Sequence, residues 1–546
     1  MSEQPLKSYI AGKWTAPQTS VQTFEAINPA NEERAALVAL CAPDDVDAAV
    51  AAARGAFPAY AALSLEARIA LVERLIAIFE RRYDEMVRAI STEMGAPYDL
   101  SFDAQAECGP GHLRETVKAA RAMEWDRKIG TTGRLLHEPI GVCVLITPWN
   151  WPINQLAAKV GPALVAGCTM VLKPSEVAPL SAQLFAEFID EAGFPAGVFN
   201  MLHGTGAAIG DALTGHPEVD MVSFTGSTRA GIQVARSAAA TVKRVSQELG
   251  GKSANIVCAD AGLEAAVTRG VLHCFGNTGQ SCNAPTRMLV EASAYAEAVA
   301  IAGKVAAGVT LGDPMERGPH LGPVVSKAQY DKIQALIQAG IDEGATLIAG
   351  GTGRAESFSR GYYVKPTIFA DVTNQMTIAR EEIFGPVLVM IPFGDEAVPS
   401  PSPMTRPMAW PGTSRAAIWG GRAASPGWCA RAASISTVQA RIIAHPSVDT
   451  SNRAMAANGA SSGSMIFLRS RSSTGSTRHE ANRHQDLRSR QSTTAFWRTL
   501  FRVRQADHGL RNFRRGRGLL RAVRSASGGQ DDRGRVCALC PGHRSA

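Results

Sequence analysis

Residues 170–227 read MVLKPSEVAPLSAQLFAEFIDEAGFPAGVFNMLHGTGAAIGDALTGHPEVDMVSFTGS, and this stretch decides the fold. Met170–Leu172 is a short apolar run that ends in Lys-Pro-Ser. Ala182–Ala192 is an alanine-rich stretch of helical character, and Met221–Phe224 is a second apolar run that ends in Thr-Gly-Ser. Short apolar or β-branched runs bounded by turn-forming residues are the signature of buried parallel strands. Outward from this stretch, Val142–Ile146 and Ala254–Cys258 repeat the strand pattern. Upstream, Leu71–Ile90 (LVERLIAIFERRYDEMVRAI) places apolar residues at helical spacing with charges between them. Strands alternating with helices predict an α/β protein whose parallel sheet is covered on both faces. No internal repeat is present.

The chain of 546 residues has room for two or three domains at roughly 150 residues each. With 45% hydrophobic and 19% charged residues it can bury sizeable cores, which excludes wholesale disorder. No run reaches the ~20 apolar residues of a membrane helix, and the start MSEQPLKSYIAGKW lacks the pattern of a secretory signal. Ten scattered cysteines fit a reducing compartment, so a cytoplasmic location is expected. The net charge of +7 hides a division. Residues 397–546 carry 24 Arg, no Lys and six acidic residues, a balance of +18, which leaves −11 for residues 1–396. The Pro-rich, then Ser/Arg-rich tail keeps no helical or strand period beyond a weak apolar run at Met465–Leu468. Its composition lacks the apolar surface to offset ordering entropy, so disorder is expected there.

Several residues have the company that chemistry needs. Cys282 lies in GNTGQSCNAPTR, polar and loop-like, whereas Cys143, Cys168 and Cys258 sit in or near aliphatic runs and read as structural. Taken alone, Cys282 is more often a packing residue. Glu248 precedes Leu249 and the pair Gly250–Gly251, which allow a sharp turn presenting a carboxylate as a base for water. A solvated surface glutamate is the commoner outcome for that pattern. Asn150 in ITPWNWP offers a neutral donor to an oxyanion after a strand, or is simply a turn residue between prolines. Lys173 and Glu176 in KPSE stand at a strand's C-terminal end, where open α/β sheets bind ligands; surface charges are the alternative. HGTGAAIG spaces Gly204, Gly206 and Gly210 one residue longer than the usual dinucleotide fingerprint, a weak signal. Thr225-Gly226-Ser227 open a helix after Phe224, either for a phosphate or as an ordinary N-cap. In REEIFGPV, Glu382 offers a carboxylate to a ribose and Phe384 a ring to a nicotinamide face, against a surface charge and core packing.

Together these segments resemble the NAD(P)-dependent aldehyde dehydrogenase superfamily over about Tyr9–Glu396. TPWNWP, KPSE, FTGS, ELGGK, GQSC and EEIFGP follow in the family's order, with its 34-residue step from Glu248 to Cys282. The resemblance implies a Rossmann-type cofactor domain plus an α/β catalytic domain, left incomplete here. Residues 1–119 and 138–248 would form the cofactor domain, 120–137 an oligomerisation hairpin, 249–396 the first part of the catalytic domain, and 397–546 a non-family tail. It further implies that Cys282 attacks an aldehyde, that Asn150 and the Cys282 amide hold the oxyanion, and that Glu248 activates water against the thioester left by hydride transfer. NAD, with NADP possible, would be held by Trp149, Lys173, Ser175, Glu176, Gly206, Gly210, Phe224, Thr225, Gly226, Ser227, Leu249, Glu382 and Phe384. Glu176 beside a ribose disfavours a 2′-phosphate, and Glu248 favours release of a free acid over transfer to coenzyme A. Ser281, Asn283, Trp151 and Leu156 would shape the substrate tunnel. A homodimer or homotetramer is implied, and no metal.

After Phe393 the resemblance breaks. Family members continue with segments like IANDTAYGLAG and FGGYKQSGNGREWG, and neither is present. Codons can be chosen for Pro399–Gly412 (PSPSPMTRPMAWPG) that, read one nucleotide out of phase, spell AIAIANDTAYGLAG. A choice of codons for Ser447–Gly459 (SVDTSNRAMAANG) likewise gives FGGYKQSGNGREWG with the same shift. The tail from about Ala397 is therefore expected to be an out-of-frame translation, leaving apolar surface uncovered and strand edges unpaired. The alternatives are an inactive, truncated family member that lost catalysis by selection, against which stand the intact Cys282, Glu248 and Asn150, and a basic arm that binds nucleic acid, with little aromatic interleaving beyond Phe496, Trp497 and Phe501. Cys537, Cys540 and His543 fall one ligand short of a structural zinc site.

Overall fold

The computed structural model describes residues 4–19, 22–129, 133–394, 417–418 and 501–505. The readings of Met465–Leu468, of the two shifted signatures and of Cys537–His543 lie outside the described residues.

The chain begins with two antiparallel pairs, β1 (Ser8–Ile10) with β2 (Lys13–Thr15), and β3 (Gln22–Ile27) with β4 (Arg34–Leu40). Two further strands, β5 (Asp126–Ile129) and β6 (Gly133–Pro139), pair antiparallel, with Asp126 opposite Leu136 and Ile129 opposite Gly133. The predicted sheet follows in β7 (Val142–Ile146), β8 (Thr169–Lys173), β9 (Phe199–Met201), β10 (Met221–Thr225) and β11 (Arg244–Glu248). These five run parallel in the order β11-β10-β7-β8-β9. The antiparallel pair β1–β2 closes one edge through Tyr9 opposite Met201, so the sheet is mixed. Every residue of β7, β8 and β10 is buried, which is why these strands read as unbroken apolar runs and not as alternation. Val142, Val144, Val171, Val222 and Phe224 pack on one face against Val46, Ala49 and Val50 of the helix Pro43–Ala61.

A second sheet contains β12 (Ala254–Val257), β13 (Arg287–Glu291), β14 (Thr346–Ala349), β15 (Thr367–Ala370) and β16 (Val387–Phe393), in the order β14-β15-β16-β13-β12. All these pairs are parallel except β14–β15. The outer edge of β12 is met over two residues, Asn255 and Ile256, by β17 (Ala417–Ile418). Helices Leu263–Phe275 and Tyr295–Ala307 cover one face of this sheet and Lys327–Asp342 the other.

The stretch Leu71–Ile90 is two helices, Leu65–Arg81 and Tyr83–Met94. At Arg82 the backbone leaves the α region (φ −102°, ψ 24°), and its guanidinium bridges Glu85 and Glu187. The bend lets both helices lay their apolar faces on the helix Leu180–Glu191. Phe79 fills the seam, edge-on to Phe188 at 5.3 Å, and a Cβ on Gly109 would stand 2.5 Å from its ring. With no room for collapse, Phe79→Ala leaves a cavity that costs about 3–5 kcal/mol. A urea-unfolding midpoint unchanged by this substitution contradicts the packing described.

Candidate active site

The last residue of β11 is Glu248, opposite Thr225 at the end of β10, and Gly226 N–H donates to the Glu248 carbonyl at 3.0 Å. The carboxylate thus leaves the first sheet at its C-terminal edge, and the next five residues carry the chain to β12 in the second sheet. Leu249 stays with the core of the first sheet, where a Cβ on Gly231 would stand 2.6 Å from it. The two glycines that follow serve close approach, not left-handed turning. Neither is among the described glycines with positive φ. A Cβ on Gly250 would stand 2.3 Å from Glu382 Oε2, and one on Gly251 2.6 Å from the Cys282 carbonyl oxygen. Gly251 N–H donates to Glu382 Oε1 at 3.0 Å, so the glycine pair brings the Cys282 backbone and Glu382 to one point.

Cys282 is held by an irregular turn. After the helix Leu263–Phe275, Asn277, Thr278 and Gly279 all adopt left-handed conformations (φ 54°, 55° and 73°). Gly279 is required, since a Cβ there would stand 1.9 Å from the Gly385 carbonyl. The strain at Asn277 is offset by its side chain. The Asn277 amide donates to the carbonyls of Asn150 (3.0 Å) and Gln280 (3.2 Å), and its oxygen accepts from Gln105 Nε2 (2.9 Å). Asn150 Nδ2 donates to the same Gln280 carbonyl at 3.0 Å. Gln280 Nε2 donates to Asn277 O and its Oε1 accepts from Val325 N–H. Trp151 Nε1 donates to Ser281 Oγ at 2.8 Å. All of Gln105, Asn150, Asn277 and Gln280 are buried, so the loop after β7 and the loop before Cys282 form one amide network.

Cys282 remains partly exposed, whereas Cys41, Cys108, Cys143, Cys168 and Cys274 are buried. Cys258 is also partly exposed, unlike its aliphatic reading, because β12 ends at Val257. Burial, then Glu382 and Glu248, push the Cys282 thiol up to about 12, against the backbone N–H groups of Cys282 and Asn283. Burial also raises Glu248 to about 7, opposed by Lys159. Glu382 is raised by burial, opposed by the Gly251 N–H. Asn150, Glu248, Cys282 and Glu382 therefore share one desolvated neighbourhood.

The sequence reading missed Lys159, Lys252 and the amides of Gln105, Asn277 and Gln280. Lys159, on the helix Pro152–Ala166, donates to Ser223 Oγ at 2.9 Å, and burial pushes it down to about 8. Lys252 is buried with no partner at Nζ and is pushed down to about 7. A lone lysine inside the apolar run QLAAKVGPALV was the available signal for the first.

A second group lies along the same C-terminal edge. Lys173 ends β8, and its buried ammonium donates to Pro174 O at 2.9 Å and to Glu176 Oε2 at 3.3 Å. Ser175 Oγ accepts from Val177 N–H. Gly206 opens the helix Gly206–Gly215, and a Cβ on Gly206 or Gly210 would meet nothing within 4 Å. Ser227 caps the helix Thr228–Ala238 by accepting from Ala230 N–H at 3.3 Å, as an N-cap does. Thr225 Oγ1 is buried without a partner, and the Phe224 ring lies under Gly226. Trp149 meets Phe384 edge-on at 5.4 Å, with Phe384 itself at φ 63°. Among the described residues no cluster of His, Cys, Asp or Glu could hold a metal ion, and no helix is long and apolar enough to cross a membrane.

Two largely parallel sheets, joined by a crossing that carries a carboxylate to a loop bearing a partly exposed thiol, make the class that of thiol-containing α/β enzymes. The model of the aldehyde dehydrogenase family matches residues 14–398. A 3-succinoylsemialdehyde-pyridine dehydrogenase from a Pseudomonas species is 52% identical over 389 residues, 71% of this chain and 81% of that protein. A crystal structure of an aldehyde dehydrogenase from Bartonella henselae is 51% identical with a TM-score of 0.71, over 72% of this chain and 83% of that one. Aldehyde dehydrogenase C from Pseudomonas syringae, a mutant solved with NAD+ and octanal, is 47% identical with a TM-score of 0.70, over 71% and 80% of the two chains. The chain belongs to the aldehyde dehydrogenase family and is an oxidoreductase.

Asn277→Ala removes two donors and one acceptor from buried partners at a left-handed position, at a cost of about 2–4 kcal/mol. Alkylation of Cys282 by iodoacetamide is expected to accelerate at the same time. An unchanged alkylation rate contradicts the part assigned to the amide network.

Proposed function

We propose that the chain oxidises an aldehyde to its carboxylic acid with NAD+, and less well with NADP+, using Cys282 as nucleophile and Glu248 as base. The observation that carries this reading is a partly exposed thiol held within electrostatic reach of two carboxyl groups.

The residues present fit a dinucleotide. Gly206 and Gly210 leave open ground at a helix start, Thr225 offers an unpaired buried hydroxyl, and Lys173 and Glu176 pair at a strand end. Lys173, Ser175 and Glu176 would take the adenosine ribose, where the Glu176 carboxylate repels a 2′-phosphate. Gly206, Gly210, Thr225, Gly226 and Ser227 would border the phosphates, with Phe224 and Leu249 beneath. Glu382 would take the other ribose, with Trp149 and Phe384 against the ring. The chemistry that bound NAD+ supplies is acceptance of a hydride from the substrate carbon. The Pseudomonas syringae relative solved with NAD+ supports this choice.

The thiol is neutral at rest, so attack needs a proton acceptor. Glu248, at about 7, is half ionised near neutrality and can take that proton. Sulfur adds to the carbonyl carbon, and the oxyanion falls to the Cys282 backbone N–H and to Asn150. Asn150 spends one N–H on Gln280, which fixes the direction of the other. Once hydride has left, Glu248 passes the thiol's proton to solvent and, ionised again, takes a proton from the water that attacks the thioester carbon, a proton it then returns to the departing thiolate. The acid departs and the thiol regains its proton. Lys159 limits how far burial raises Glu248.

Because Glu248 acts as the ionised form, with a pKa of about 7, kcat of the chain with its reading frame restored is expected to rise about fivefold from pH 6 to 7 and level off above 8. Glu248→Gln flattens that limb and lowers kcat by about 10²–10⁴-fold, and Cys282→Ala abolishes turnover. A steady-state pH profile identical in wild type and Glu248→Gln sinks this assignment.

The partition proposed is a cofactor domain of 1–119 and 138–248, a hairpin of 120–137 for dimer or tetramer assembly, and a catalytic part of 249–396, in the cytoplasm. The family match stops at 398, and the same one-nucleotide shift yields both missing signatures, which favours a frameshift over a basic arm for nucleic acid. As written, the chain is expected to be insoluble or without turnover; with one base added or removed near the Phe393–Pro403 codons it gains aldehyde oxidation. Soluble, fully active oligomers of the chain as written contradict this.

A further inference from the structure

His203 stands one residue past the last rung of β9. Leu202 N–H donates to Leu172 O at 2.9 Å, extending the β8–β9 pairing and placing His203 beside Lys173–Pro174, just before the Gly204–Gly206 segment. The ring is 1% exposed. Its Nε2 lies 3.0 Å from Gln183 Oε1, an oxygen that only accepts, so the ring proton resides on Nε2 and Nδ1 is a bare lone pair. Burial and then Lys173 push the imidazole down to about 4, so it is uncharged at neutral pH. Nδ1 is buried and has no partner, which is costly for an acceptor.

Lys173 is the neighbouring donor. An ammonium has three N–H groups, and those of Lys173 reach Pro174 O at 2.9 Å and Glu176 Oε2 at 3.3 Å, the longer contact going to the more exposed partner. A sugar hydroxyl donating to Glu176 competes with that longer contact and frees an N–H of Lys173 close to an acceptor that lacks a donor.

We propose that His203 is a positioning residue for the cofactor, its Nδ1 lone pair being the seat that Lys173 takes when ribose hydroxyls occupy Glu176. This rests on the assignment of Lys173 and Glu176 to the adenosine ribose. The bare acceptor keeps the freed ammonium at the strand end and prevents it from folding away. Affinity for the dinucleotide then depends on His203 through Lys173 alone.

Equilibrium titration of the full-length, frame-restored chain with NAD+, followed by tryptophan fluorescence and without turnover, tests this. His203→Leu is expected to raise the dissociation constant at least about tenfold, the worth of one hydrogen bond to a charged group. His203→Asn, whose Oδ1 stands near the place of Nδ1, is expected to stay within about twofold of wild type. In a Lys173→Met background His203→Leu is expected to add nothing further, because the two residues act in series. Equal affinity in His203→Leu and wild type overturns the inference, as does His203→Asn as weak as His203→Leu, or losses that add in the Lys173→Met background. A wild-type chain that does not bind NAD+ overturns the cofactor reading itself, and the inference with it.

Discussion

A buried knot of side-chain amides holds this protein's reactive loop in place. Asn277 occupies a left-handed conformation that costs a non-glycine residue about 1–3 kcal/mol, and its three hydrogen bonds to Gln105, Asn150 and Gln280 offset that cost. The knot joins the loop after β7 in the first sheet to the turn before Cys282. Without it the donor of Asn150 and the sulfur of Cys282 would belong to two independently moving loops. A buried network of this kind specifies one geometry because breaking any of its bonds leaves a further desolvated polar group beside Gln105 Oε1, which already has no partner.

Electrostatics follows from the same burial. Desolvation is the first cause of the raised Cys282, Glu248 and Glu382 and of the lowered Lys159 and Lys252. Each of these groups is therefore pushed toward its neutral form. A resting thiol near 12 is protected from adventitious oxidation, and a carboxyl near 7 can both accept and return a proton. Gly250 and Gly251 make the arrangement possible by giving up side chains, since any Cβ there would displace Glu382 or the Cys282 backbone.

Much of this was legible in the sequence because parallel strands and their terminal loops are local patterns. The runs at Val142, Met170 and Met221 became β7, β8 and β10, and KPSE, FTGS and ELGGK fell at the C-terminal ends of strands. The break at Arg82 was invisible, since helical periodicity continues across it and one of the partners of its guanidinium, Glu187, lies over a hundred residues away. The antiparallel edge β1–β2 was missed because three-residue strands carry too little pattern. The glycine pair was read for conformational freedom, while its actual use, close approach, depends on Glu382 and Cys282, distant in the chain. Lys159, Gln105 and His203 act through partners far along the sequence, and no local spacing announces such contacts.

The most direct measurement is the mass of the covalent species. In a frame-restored chain mixed with excess aldehyde and NAD+, quenched in acid during turnover and digested, the peptide containing Cys282 is predicted to carry the added mass of the acyl group, and the peptides of Cys41, Cys108, Cys143, Cys168, Cys258 and Cys274 none. An acyl group on another residue, or oxidation of aldehyde with Cys282 never modified, would contradict the account.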